Sequence, residues 1–142
     1  MSKNLQLQVK LRDLARSEEA LARLASENIS ARMSYTLALV LHQVTPHLDA
    51  KRKAHRKLLE RYGKANEKNP EVFAVSTANR DAFEKEFEEL LEANVTLTGI
   101  GRVRVSALET EGVKMTGGEM FVLNWLLKND VAALFEEEEK SD

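Results

Sequence analysis

A helical apolar line that begins after Ser30 and does not stop until Gly63 constrains this fold more than any other feature of the chain. Leu37, Leu41, Val44 and Leu48 fall three or four residues apart, the line weakens through Lys51 and His55, and it returns at Leu58, Leu59 and Tyr62. Ser30 is a residue type that caps a helix start, and Gly63 one that commonly follows a helix end. One continuous helix over these positions would be about 50 Å long at ~1.5 Å per residue, a long element for so small a chain. Pro46 lies inside it and predicts a kink or an interruption. The run Leu37-Ala-Leu-Val-Leu41 is apolar nearly all round, so it calls for cover on more than one side, by its own domain or by a second copy. Leu37, Leu41, Val44 and Leu48 are therefore candidate self-association residues.

Charge is divided along the chain. Residues 1–64 carry 13 Lys/Arg against 6 Asp/Glu and residues 65–142 carry 8 against 17, leaving +7 and −9 within a net charge of −2. The positive charge is concentrated from Asp49 to Lys64, and the negative charge begins in the next periodic segment, Asp81 to Glu92. There Phe83, Phe87, Leu90 and Leu91 share one helical face, with Glu84, Glu86, Glu88, Glu89 and Glu92 elsewhere. The expected arrangement is an antiparallel helical hairpin, held by apolar contacts and framed by ion pairs that contribute only ~0–1 kcal/mol each when exposed. Lys51, Arg52, Arg56, Lys57, Arg61 and Lys64 are also candidate contacts for an acidic protein surface or for nucleic-acid phosphates. Steep weakening with salt would mark the phosphate reading.

Elsewhere the periods change. Leu5, Leu7, Val9 and Leu11 alternate with polar residues as a half-buried strand does. Asp13 is the expected cap of a short first helix that carries Leu14, Leu21 and Leu24 and ends near Ser26. Residues 64–78 read as a loop with an extended piece at Val72–Val75, and residues 95–106 as a β-hairpin or two short strands around Gly99-Ile-Gly101. Thr116-Gly-Gly-Glu119 matches a capping box, with Met115 and Met120 as its staple, and predicts a helix from Gly117 to about Phe135. On it Phe121, Val122, Trp125 and Leu126 make the apolar face, with Trp125 and Phe121 expected in the core. The fold class is thus α+β and mostly helical: a long kinked helix packed in an antiparallel hairpin with a small β-sheet. Residues 1–135 form a single domain, followed by an acidic tail at 136–142.

No constellation of catalytic residues emerges. The absence of cysteine excludes disulfide and thiolate chemistry. His42, His47 and His55 are spaced by five and eight, which does not place two imidazoles on one metal, so no metal or other cofactor is expected. The glutamates of residues 84–92 follow a solvated helix face, with no nucleophile beside them. The two glycine pairs lack phosphate-loop spacing and suit turns and caps. No run approaches a membrane span, and the amino-terminal residues alternate rather than form a signal peptide, so the expectation is a cytoplasmic protein without membrane contact.

The order of features carries a resemblance. It comprises an alternating first strand, Ile29-Ser-Ala-Arg-Met-Ser-Tyr-Thr-Leu-Ala, the basic helix ending Lys57-Leu-Leu-Glu-Arg-Tyr-Gly63, Phe83 with Glu86-Phe-Glu-Glu-Leu-Leu91, a Val95 strand, and Met115-Thr-Gly-Gly-Glu-Met-Phe-Val-Leu123. Together these resemble a family of small uncharacterised proteins of tailed bacteriophages and prophages, over nearly the whole chain. The resemblance transfers no site residues. It implies an accessory or structural protein that acts in the bacterial host cytoplasm, or within a virion, through protein contacts. The function expected is non-enzymatic: self-association and binding of another protein, with a nucleic-acid accessory role on the basic helix as the alternative.

Overall fold

The computed structural model describes residues 5–130. Strand β1 (Gln6–Lys10) runs directly into helix α1 (Leu11–Ala25), and α2 spans Ala31–Tyr62. Then come β2 (Gly63–Ala65), β3 (Phe73–Val75), α3 (Thr77–Leu91), β4 (Asn94–Thr98) and β5 (Val103–Arg104). The chain continues with α4 (Val105–Thr110), α5 (Gly117–Val122) and β6 (Leu127–Lys128). The predicted α+β class holds, with α2 and α3 packed as an antiparallel hairpin. Among the described residues sheet structure is confined to three two-stranded pairs: β1 with β4 and β2 with β3, both antiparallel, and β5 with β6, parallel. Among the described residues no helix is long and apolar enough to cross a membrane.

The core forms where α1, the first half of α2, β1 and β4 meet the carboxyl-terminal elements. Leu14, Leu21 and Leu24 of α1 pack with Leu37, Val40, Val44 and Leu48 of α2. Val95 and Leu97 of β4 are buried between exposed Asn94, Thr96 and Thr98, the alternation that a strand with one wet face requires. Trp125 closes the core with a polar anchor: its Nε1 donates to Ser17 Oγ at 3.0 Å, and that hydroxyl donates to the Leu14 carbonyl at 3.0 Å. Ser17 is the only buried polar residue among those described, and this relay satisfies it.

This burial corrects the self-association reading. Leu37, Val44 and Leu48 are enclosed by the chain's own core, and Leu41 packs against it, so none of the four offers an outward apolar surface. The exposed large apolar side chains of the same helix are Tyr35 and Leu39, 66% and 40% exposed.

Other boundaries move for local reasons. Helix α1 starts at Leu11 without a side-chain cap, and Asp13 sits in its first turn, where its charge still suits the positive end. Ser30 does cap α2, accepting from Met33 N. Pro46 does not interrupt α2, although its missing N–H leaves the His42 carbonyl without its helical donor. Residues 95–106 hold two short strands, one of the two readings, and not a hairpin: β4 turns at Gly99, whose φ of +74° suits glycine, while β5 pairs with β6 and leads straight into α4. The capping box at Thr116 and Glu119 forms as read, but its helix ends at Val122 because the chain turns through Leu123 into β6. Phe121 is 67% exposed and outside the core; residues 123–130, predicted to be helical, form turns and β6 instead, while residues 131–135 of the predicted helix lie outside the described residues, as does the acidic tail.

Gly63 has a role different from a left-handed cap. Its backbone is extended, and a Cβ built there would stand 2.7 Å from the Leu59 carbonyl oxygen and 3.2 Å from that of Ala74. Both neighbours are backbone and cannot yield cheaply. Gly63→Ala should therefore loosen the junction of α2 with β2 and β3, and hydrogen exchange across residues 63–75 should rise while the amides of α1 and β4 stay protected.

Candidate interaction surface

The distal half of α2 leaves the core. Beyond Leu48 only Leu58 is buried on this helix, and α3 buries only Leu91, at the end where it returns to the body. Residues 51–90 thus form an arm of two antiparallel helices with the β2–β3 ribbon at its tip. Its seam is thin. His55 stacks on Phe87 with ring centroids 4.6 Å apart and tilts against Phe83 at 5.9 Å, while Asn79 Nδ2 donates to the Tyr62 carbonyl at 3.1 Å. Sequence periodicity placed His55 in the weak middle of the apolar line, and the ring stack explains how a polar residue serves there.

The arginines of the basic stretch are committed within the chain. Arg52 pairs with Asp49 at 2.8 Å and reaches Glu18 of α1. Arg56 pairs with Glu71 at 2.8 Å and lies over the Phe73 ring at 5.4 Å. Arg61 bridges to Glu86 of α3 at 3.1 Å, and the Tyr62 hydroxyl donates to the same carboxylate, which holds the phenol above its usual range. The expected helix-to-helix charge frame is therefore mostly rerouted. Arg61–Glu86 is the ion pair between α2 and α3 among the described residues, whereas Glu88 and Glu92 turn to Arg12 at 2.5 and 3.2 Å. Glu92 also accepts from Lys10 at 2.6 Å, and that pairing lowers its pKa.

Of the six predicted contact residues, Lys51, Lys57 and Lys64 make no ion pair among the described residues, and neither does nearby Lys53. Lys53 and Lys57, both exposed and four apart, share one face of α2, while Lys51 points elsewhere and Lys64 sits on β2. The structure brings together two free ammonium groups rather than a continuous stripe. The three histidines do not converge, and among the described residues no group of three potential metal ligands does.

His55 gives the arm a pH dependence. Burial first, and Lys51 second, hold its pKa below the ordinary 6.5. The unfolded arm then binds a proton more readily than the folded one, so the contribution of His55 is complete above about pH 6.5 and is lost as pH falls through the depressed value. Protection factors of the α3 amides, corrected for the intrinsic pH dependence of exchange, should fall between pH 7 and pH 5 in the wild type, and His55→Phe should remove that fall.

Comparison with known proteins assigns this chain to no group: no family model matches it, and neither a curated protein nor a solved structure does.

Proposed function

We propose that this chain is a non-enzymatic interaction protein, of the accessory or structural kind that tailed phages encode, whose α2–α3 arm docks on an acidic surface of another protein. One observation carries the reading. Nearly forty residues stand outside the core with little buried apolar area of their own, and a helix pair that contributes so little to the core is favoured by what it reaches. The free ammonium groups of Lys53 and Lys57 supply the charge that such a contact would use, and their geometry suits a small acidic patch. Self-association through Leu37 to Leu48 is not retained, because those side chains are spent on the core.

The nucleic-acid reading keeps one specific support, the four unpaired lysines at 51, 53, 57 and 64. It is weakened by the internal pairing of Arg52, Arg56 and Arg61, which removes the side chains best suited to phosphates. The test compares the wild type with Lys53→Glu/Lys57→Glu, both used as bait in host extract and both titrated with labelled duplex DNA at low salt. Loss of specific captured proteins in the variant, with no DNA retention by either, supports the arm as a protein-docking element. An unchanged captured set, or DNA binding that the variant abolishes, sinks it.

A further inference from the structure

A second surface lies on the body, away from the arm. The first turns of α2, the β4–β5 connection and α4 enclose a groove of about 640 Å³, within the size range of ligand and peptide sites. Its apolar lining includes Met33, Leu39, Ile100 and Val103, and Leu5 and Leu39 stand about half exposed at its edge. Arg32 and Arg102 are the cations lining it, and neither has a carboxylate partner among the described residues. Arg102 reaches only the Leu127 carbonyl, at 3.5 Å. Arg32 sits in the first turn of α2, which holds no acidic residue of its own.

Glu111 is the acid lining this groove among the described residues, and it is already committed. Its two carboxylate oxygens accept from Ser30 N at 2.8 Å and Ser30 Oγ at 2.7 Å, which lowers its pKa and ties α4 to the start of α2. Glu111 stays ionised, so the described lining carries two guanidiniums against one carboxylate, a net positive charge whose cations have no ion-pair partner. From Arg32 to Leu39 the lined face of α2 runs about 10 Å at ~1.5 Å per residue, the length of two helical turns of a bound segment.

We propose that this groove binds an acidic peptide segment of a partner protein, with leucine- or phenylalanine-type anchors on the apolar floor and carboxylates on Arg32 and Arg102. Charge complementarity selects this occupant over a basic or neutral segment. The site is independent of the arm, so the two proposals fail separately.

The test uses the full chain and a fluorescein-labelled 12-residue peptide of Leu-Leu-Glu-Glu repeats, with a Leu-Leu-Lys-Lys counterpart, read by anisotropy at moderate salt. The glutamate peptide should bind at least about tenfold more tightly than the lysine peptide. Arg32→Glu/Arg102→Glu, and separately Leu39→Asp, should each weaken it by about tenfold or more, while Lys53→Glu/Lys57→Glu on the arm should change it less than about threefold. Arg32, Leu39, Lys53, Lys57 and Arg102 are all exposed, and circular dichroism checks that each variant is folded. Equal binding of the two peptides, or a loss caused by the arm variant instead, overturns the proposal. So does an affinity raised about tenfold by Leu134→Ser/Phe135→Ser. That result would show that the chain's own apolar-then-acidic sequence at 134–139 competes for the groove and that no partner is needed.

Discussion

Val44→Asp and Leu37→Asp should each abolish the folded state, whereas Tyr35→Asp and Leu39→Asp, on the same helix, should leave thermal unfolding nearly unchanged. Val44 and Leu37 are 0% and 1% exposed within the core cluster, and among the described residues no cation is buried there to receive a carboxylate. An unpaired buried charge costs several kcal/mol even after the group neutralises, and total stability for a domain of this size is about 5–15 kcal/mol. Tyr35 and Leu39 stand in solvent, where such a change is worth about 0.5 kcal/mol or less. Circular dichroism melts of the four variants decide the matter. Folded Val44→Asp protein of reduced solution mass would restore this helix face as a subunit interface and refute its assignment to the core.

The second large effect is at the far end of the chain. Trp125→Ala should destabilise by about 3–5 kcal/mol, since it removes a large, nearly buried side chain from the point where the carboxyl-terminal segment closes the core. Ser17→Ala should cost about 1–3 kcal/mol, because it strands the indole N–H in an apolar setting. The pair Ser17→Ala/Trp125→Phe should recover part of that loss, as neither side then carries an unmatched polar group. Urea unfolding of the wild type, Ser17→Ala, Trp125→Phe and the double variant measures the coupling. Additive losses would mean that the 3.0 Å hydrogen bond contributes nothing beyond packing.

Gly63 and His55 test smaller, local features of the same design. Both act on the arm, and both are expected to leave the body intact. That separation follows from the burial pattern, in which the arm shares only the base of α2, the end of α3 and a few ion pairs with the core.

Much of the architecture was legible in residue order because it is local. The α2 limits follow from Ser30 at one end and Gly63 at the other, and the reciprocal bonds of Thr116 and Glu119 need only four consecutive residues. The β1 alternation and the amphipathic α3 are likewise patterns that a segment carries by itself. Strand pairing was not legible. Val95–Thr98 and Arg102–Val105 read in sequence as a hairpin or two short strands, and nothing local says that β4 pairs with β1 and β5 with β6, partners 84–92 and 24 residues away. The two-residue strands have too little pattern to announce themselves.

What the sequence by itself determined is where helices begin and end and which faces are apolar, since capping bonds and side-chain period act within a few residues. What only the tertiary structure decided is which charges and which leucines remain available. Arg52, Arg56 and Arg61 read as a cationic face until Glu18, Glu71 and Glu86 arrive from distant segments to take them up. Leu37, Val44 and Leu48 read as an interface until α1 and β4 cover them. The groove at Arg32 and Arg102 exists only because the start of α2 and the β4–β5 turn, some seventy residues apart, are brought side by side. Availability is a property of what surrounds a side chain, and no local pattern records it.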